Sequence, residues 1–565
     1  MRGLVEERKQ KMLAFLAGGS VKEDILGSTA LAQLLLGTGN EEEINARICR
    51  TADWYHDPCP FKARDPRGES DFAALKFIRF LYMAEEKLSV EANEAILDFF
   101  MKHDFESKYK SENHMLLFHI SRYLLTQKYP DVMYPVYGKN GRSLMKEDEA
   151  FLTDYLQFRA KQGWAEFDSL GYYSEDICAL LTLYDFVKQE KMRNLAEMSL
   201  NLMLLDMIND SMGPLYCGAH GRIYEPAALD YKNSGMFAVY WMYFGGSNEN
   251  EALKHSLLEV CLSRFIPAQF VYDVLTEKPE VYENFESHHL HCISTEIPHK
   301  QVPQVAGSIN KYTYVCPWYA VGAVNYQDPY PEDSDAKWYA HHQQHEWDLT
   351  LPGGTDIRLF THHPGNFGTE GAEHGYWTGD LGCCCGQFFC KKNIVLATYD
   401  IPEREMQYIN ANVPLEHFER IEYGNYLFLK HGQVYVSFWF SNGYEAADGK
   451  YADREIRSYG NRHGVVCEVG TASEYGSFEA FRNSIVAEEI RFNPECMSLS
   501  YRELFMDHKV REINGEQVIF PYPTFGAPAV SAEFDSGIVR VMTRNGEVLM
   551  DFNRIEMATV LKNET

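Results

Sequence analysis

Near residue 285 the hydrophobic period of this 565-residue chain changes, and that change restricts the folds open to it more than any single motif. Before it, apolar residues recur at i, i+3, i+4 and i+7, as in Ala74, Phe77, Ile78 and Leu81, which is the pattern of a helix with one buried face. The period predicts helices near 22–37, 71–86, 91–102, 112–127, 146–161, 174–189, 192–209, 231–244 and 250–264. Loops carrying Gly, Pro and Asn separate them, as at Tyr129-Pro130 and Gly245-Gly246. Helices of similar length without intervening strands imply an all-α array.

After residue 285 the alternation is that of strands. Tyr312-Thr313-Tyr314-Val315, Ile394-Val395-Leu396-Ala397-Thr398, Tyr426-Leu427-Phe428-Leu429 and Val434 to Trp439 are rich in β-branched and aromatic residues. Asn442-Gly443, Asp448-Gly449, Asn514-Gly515 and Asn545-Gly546 are turn signals between them. The expected fold class is α+β multidomain, with a helical domain over 1–285, an antiparallel β-sandwich over 286–500 and a small C-terminal β unit over 501–565. The segment Tyr282–Pro303 reads as the linker.

Hydrophobic residues at 45% and charged residues at 24% fit a globular protein with a sizeable core. The 81 acidic against 53 basic side chains leave a formal charge of −28. Nucleic acid is therefore not an expected partner, because that affinity comes from Lys and Arg at phosphates. Anionic membrane surfaces are disfavoured for the same reason. A small anionic substrate is compatible with this charge, since screening over about 8 Å lets a local cationic pocket outweigh a distant acidic surface. The first residues lack the apolar stretch of about 7–15 residues found in secretory signals. No segment approaches about 18 uninterrupted apolar residues, so no membrane span is expected. The 13 cysteines, an odd number that includes Cys383-Cys384-Cys385, suit reduced thiols in a cytoplasmic protein.

Four segments could carry chemistry. Ser111-Glu112-Asn113-His114 precedes the apolar run Met115-Leu116-Leu117-Phe118, so Ser111 has the position of a helix cap, while Asn113 and His114 bring donors and a titratable group to one helix mouth. The loop Gly163 to Tyr173 holds Trp164, Glu166, Asp168, Tyr172 and Tyr173, either as a solvated aromatic loop or as a sugar-binding and catalytic one. His220-Gly221-Arg222-Ile223-Tyr224-Glu225-Pro226 sets a guanidinium suited to carboxylates two residues before a phenol. In the β half, Tyr339 to Trp347 and Thr361-His362-His363-Pro364-Gly365 are rich in imidazole. Their spacings match no standard zinc signature, so no cofactor is expected, although a metal ion in the β domain stays open beside substrate-facing and structural histidines.

The Asn-His pair opening a helix, a Tyr beside the Glu166-Phe167-Asp168-Ser169 loop, and a histidine-bearing β half together resemble the heparinase II/III and oligoalginate lyase group. They are also similar to toroid-plus-sandwich glycoside hydrolases, including β-glucuronidases. Trp377-Thr378-Gly379-Asp380, leading to Lys392-Asn393-Ile394-Val395-Leu396, resembles a β-domain segment of heparinase-like proteins. The resemblance implies an N-terminal (α/α) toroid, incomplete or a six-hairpin barrel, followed by the sandwich. It further implies that Asn113 and His114 neutralise a uronate carboxylate, that Tyr172 or Tyr173 moves protons, and that His362 or His363 is the contribution of the β domain. Glu112, Glu166 and Asp168 depart from what an anion pocket wants.

The expected function is cleavage of uronic-acid-containing oligosaccharides by β-elimination. The C5 proton of a uronate becomes removable only when the carboxylate charge is offset. A phenol with ordinary pKa about 10 needs a cationic neighbour, such as His114 or Arg222, to act as a base. On this reading Asn113, His114, Glu166, Tyr172, Tyr173 and His363 are catalytic, and Glu112, Trp164, Asp168, Arg222, Tyr224 and His362 bind substrate. The alternative is a glycoside hydrolase using two carboxylates, Glu112 with Glu166 or Glu166 with Asp168, about 5–9.5 Å apart. A second alternative is a non-catalytic glycan-binding protein, which predicts stacked aromatics without converging acid, base and cation. A small oligosaccharide is the expected partner, in a symmetric homo-oligomer such as large enzymes often form.

Overall fold

A computed structural model describes residues 2–24, 26–56, 70–104, 111–290, 292–294, 305–326, 338–340, 345–364, 376–378, 385–403 and 405–561. The helical half contains α1 Arg2–Ala17, α2 Ser28–Leu36, α3 Glu41–His56, α4 Ser70–Met83, α5 Val90–Lys102, α6 Glu112–Lys128, α7 Gly141–Gln162, α8 Tyr172–Phe186 and α9 Glu190–Asn209. Five shorter helices follow: α10 Glu225–Leu229, α11 Gly235–Phe244, α12 Glu249–Leu253, α13 Leu258–Leu262 and α14 Gln269–Glu277. The periodicity found most of these, but α1, α3, α10 and α14 lie outside the expected set. The single helix expected over 250–264 is two, because Ser256 adopts φ 56, which no helix tolerates.

The helices form an (α/α) toroid. Neighbours pack as pairs, α4 on α6, α6 on α7 and α8, and α8 on α9, while α1 closes the array against α11 and α13. The caps follow simple chemistry: Ser89 Oγ accepts from Ala92 N at the start of α5, and Asn140 Oδ1 from Ser143 N at the start of α7. Helix α7 stops at Gly163, with φ 63, and a Cβ there would sit 2.3 Å from His288 Nδ1 in the β half. Only glycine permits this turn and this approach.

The β half is antiparallel. Strands β1 Tyr282–Leu290, β2 Val305–Val315, β3 Ala320–Tyr326, β4 Trp347–Thr350 and β5 Arg358–His362 lie in a thirteen-stranded sheet. A six-stranded sheet, which includes Ile394–Asp400, Tyr426–His431, Val434–Phe440 and Arg462–Thr471, packs over it. One buried cluster joins them, with Trp347, Leu349 and Leu359 meeting Val395, Leu427, Phe438 and Val465. The segment expected as a linker begins inside β1. The segment after residue 500 is divided: Leu504–Met506 and Arg511–Ile513 belong to a five-stranded sheet, whereas the strands from Phe525 to Leu561 extend the large sheet beyond β1. Val539, Val541 and Met550 of these last strands share the helical core.

Pairing of β1 with β2 sets Glu286 opposite Lys311 and Asn284 opposite Thr313. All four are buried at the seam between the two halves, which is unusual placement for polar strand residues and calls for partners there.

Candidate active site

Two loops meet beneath the start of α6. The loop after α7 turns through Asp168, at φ 48, and the loop before α10 turns through Arg222, at φ 47. Gly221 N donates to Phe167 O at 2.6 Å, and Ser169 Oγ donates to Arg222 O at 2.8 Å. A Cβ on Gly221 would lie 2.9 Å from Phe167 N, so the loops could not approach this closely with a side chain there. The second loop is also clamped from the β half, because His220 and His345 exchange both backbone hydrogen bonds, at 2.9 and 2.8 Å.

Arg222 is the centre of the arrangement. Its Nη1 donates to Glu166 Oε1 at 2.7 Å and to Asn113 Oδ1 at 3.2 Å. Its guanidinium lies 3.9 Å from the centroid of the Tyr172 ring, a cation–π distance. The Tyr172 and Tyr224 hydroxyls share a hydrogen bond of 2.5 Å. Ser111 does not cap α6 with its side chain; its hydroxyl donates to Asn113 Oδ1 at 2.8 Å. With Oδ1 accepting twice, the amide orientation is fixed. Asn113 Nδ2 is then buried without a hydrogen bond to the protein, a donor suited to a carboxylate.

Electrostatics follow from burial. Glu166 is fully buried, and desolvation raises its carboxyl above the ordinary range while Arg222 pulls the other way. The charge of His114 also reaches Glu166, which places the imidazole in the same field. Burial raises the Tyr172 phenol, again opposed by Arg222. Arg222 thus acts on both Glu166 and Tyr172, opposing in each case the effect of burial.

His114, Tyr172, Arg222 and Tyr224 are half-buried and form the accessible rim; Asn113 and Glu166 lie beneath them. The other residues expected at the site have structural positions. Glu112 Oε1 pairs with Arg159 Nη2 at 2.7 Å and with His289 at 3.2 Å, and its Oε2 accepts from Glu166 N. Asp168 turns into a sealed cluster, where it accepts from Tyr216 and Lys311, rather than toward a sugar. Tyr173 is fully buried with its hydroxyl donated to Asp206 Oδ2 at 3.2 Å, so Tyr172 is the tyrosine beside the cation. Trp164 packs edge-on against Tyr155 and Tyr173 and is 5% exposed, too covered to stack on a sugar.

The β-domain histidines are held elsewhere. His363 Nε2 lies 2.8 Å from Met406 O. His362 stacks on Trp377 at 5.2 Å, and burial lowers its pKa well below the ordinary value, so it is neutral. Among the described residues, two groups have metal-ligand proximity, Asp356 with Glu416 and His417, and Asp168 with Asp206, Asp210 and Glu286. Neither includes His362 or His363. The second is filled by the Lys311 ammonium, which contacts Asp168 and Asp210 and lies 2.9 Å from Glu286 Oε2. His341, His342, Cys383 and Cys384, together with Gly379 and Asp380, lie outside the described residues.

Two acids near the site carry no signal in the sequence. Asp71, early in α4, bonds His114 Nδ1 at 2.5 Å. Asp176, one turn after Tyr172 in α8, is fully buried with both carboxyl oxygens lacking a hydrogen bond, and burial raises it well above its ordinary value. Each resembles a surface acid on an amphipathic helix until the neighbouring helix is in place.

No family model matches the chain, and no curated protein matches it. Among solved structures, it is similar to the X-ray structure of a Streptomyces coelicolor A3 chondroitin AC lyase in complex with chondroitin sulphate. The identity is 10% and the TM-score 0.39, over 96% of this chain and 88% of that one.

Proposed function

We propose that this chain is a carbohydrate-active lyase that cleaves uronic-acid-containing oligosaccharides by β-elimination. The observation that carries the reading is the single guanidinium of Arg222 joining Asn113, Glu166 and the face of Tyr172, with Tyr224 hydrogen-bonded behind. In the reaction a base takes the C5 proton, the C4–O bond breaks, C4 and C5 become doubly bonded, and the leaving oxygen takes a proton. Charge accumulates on the uronate carboxylate as the C5 proton leaves, and fixed donors there lower the barrier.

Asn113 Nδ2 and His114 are the donors assigned to the carboxylate. Tyr172 and Tyr224 are assigned the protons: Tyr172 takes the C5 proton as its own passes along the hydrogen bond, and the phenolic pair returns one to the leaving oxygen. Arg222 is what makes a phenolate tolerable in this setting, because its charge opposes the burial that otherwise keeps Tyr172 protonated. Proton transfer of this kind is worth about 10²–10⁴-fold.

A two-carboxylate hydrolase is less well supported. Glu112 is bound by Arg159 and His289, Asp168 by Lys311, and Glu166 by Arg222, so each acid of the two expected pairs is engaged by a cation or an imidazole. The deciding experiment incubates the protein with uronate oligosaccharides and follows ultraviolet absorbance from the conjugated C4–C5 double bond. Rising absorbance with new reducing ends supports the lyase. Release of saturated sugar at constant absorbance excludes it.

A further inference from the structure

Helix α6 carries two histidines, each paired with an aspartate from another helix, and the two pairs differ in one respect. His119 Nδ1 lies 2.6 Å from Asp148 Oδ1, but Asp148 is already neutralised by Arg122, which donates to both of its oxygens. The His119 ring is stacked on Phe151 at 3.6 Å. The carboxylate of this pair therefore has its counter-charge without the imidazole.

His114 Nδ1 lies 2.5 Å from Asp71 Oδ2, and among the described residues no Lys or Arg pairs with Asp71. Asp71 is fully buried, and its Oδ1 makes no hydrogen bond. A carboxylate in that position is costly unless its single partner brings positive charge. The imidazole is confined on one side by Phe72, whose ring centroid is 5.7 Å away, and it remains 16% exposed on the rim of the site. Glu166 is the other acid that senses its charge, with Arg222 bonded to that acid on its far side.

We propose that Asp71 is a positioning residue for His114: it fixes the hydrogen on Nδ1 and turns Nε2 to the substrate carboxylate. The chemistry is restrictive. An ionised carboxylate only accepts, so the shared hydrogen belongs to Nδ1, and Nε2 becomes the acceptor in neutral imidazole and the second donor in imidazolium. Asp71 thereby presents Nε2, and not Nδ1, to the site, while the protons of the reaction are assigned to the phenols. The inference rests on the lyase reading only for what His114 binds; the state of the imidazole is a property of the protein alone.

The test uses the full chain labelled with ¹⁵N-histidine, with the His114 signal assigned by its loss in His114→Gln. In the unsubstituted protein near neutral pH, His114 should show a hydrogen on Nδ1. In Asp71→Asn that preference for Nδ1 should be lost, because an amide can donate as well as accept, while His119 stays unchanged as an internal control. Kinetics with uronate oligosaccharides should then show about a 10²-fold loss in kcat/KM, carried mainly by KM. Methyl-esterified substrates, which lack the charge, should lose far less. A His114 signal that is the same in both proteins, or one carrying its hydrogen only on Nε2 in the unsubstituted protein, overturns the proposal. The second result needs no variant to fold. Neither depends on turnover, so failure of the lyase reading would be recognised separately by absence of activity in the unsubstituted protein.

Discussion

The loop after α7 sends two acids, two residues apart, to two buried cations, and the outcomes are opposite. Glu166 meets Arg222, whose side chain keeps 13% exposure and touches an amide and an aromatic face besides the acid. Asp168 meets Lys311, 1% exposed, caged with Asp210 and Glu286. Both are ion pairs at the seam between helices and sheets. One is open on a side and shares its cation with residues that can change protonation; the other is sealed and shares its cation only with acids. Access to the cation, and not the kind of pair, separates the centre we propose as reactive from the structural one.

Removing the sealed cation should give the larger structural effect. Lys311→Met leaves Asp168, Asp210 and Glu286 facing one another without a counter-charge, and loss of one partner of a buried pair costs about 3–5 kcal/mol. Denaturant unfolding should register that loss, and an unchanged midpoint would show that the cluster holds nothing together. Removing the open cation should act on chemistry. Arg222→Lys keeps the charge but cannot bridge Glu166 and Asn113 while lying flat on Tyr172, so kcat/KM on uronate oligosaccharides should fall by about 10²-fold with the unfolding midpoint nearly retained. If the two variants exchanged their effects, the distinction drawn above would collapse.

The sealed centre also makes a pH prediction. Burial raises Asp206 to about 6 and Asp210 to about 7, from an ordinary value of 3.8. The folded chain therefore holds these protons more tightly than the unfolded one. Their contribution to stability is fully present below about pH 4 and is lost as pH rises through about 6 and then about 7. Asp210→Asn should flatten the upper part of that decline in a series of thermal melts; a slope that survives intact assigns the dependence to other groups. The smallest effect expected is Tyr173→Phe, which removes one buried hydrogen bond to Asp206 and should cost about 1 kcal/mol without altering turnover. A large loss of activity in that variant would move the proton-transfer role back from Tyr172.

Periodicity made the two-part fold legible, since a helix and a strand bury side chains at different intervals and the chain switches between them once. It also placed Asn113, His114, Glu166, Tyr172, Arg222 and Tyr224 as polar groups at loop and helix mouths, where the structure gathers them. Other members were invisible because their meaning depends on what faces them. Lys311 alternates with apolar residues as an outward-facing strand residue would, and only its pairing with Glu286 shows that both sides of β2 are covered. Arg159 and Asp71 lie on amphipathic helices and look solvated until another helix or loop supplies a partner. His362 and His363 show the opposite limit, since a sequence cannot tell a reactive imidazole on a strand end from one that meets Trp377, as His362 does, or Met406 O, as His363 does.

The residue after Tyr224 is held from the far half of the molecule: Glu225 accepts from the Tyr451 hydroxyl at 2.5 Å and from Trp377 N at 3.2 Å. With the His220–His345 bridge, this means that the six residues His220 to Glu225 of one helical-half loop are tied down at both ends by residues of the β half. The reactive apparatus is thus not heritable in pieces. A graft that carried the toroid onto another sandwich would bring every side chain named in the reaction and still lose the alignment of Arg222 with Tyr172.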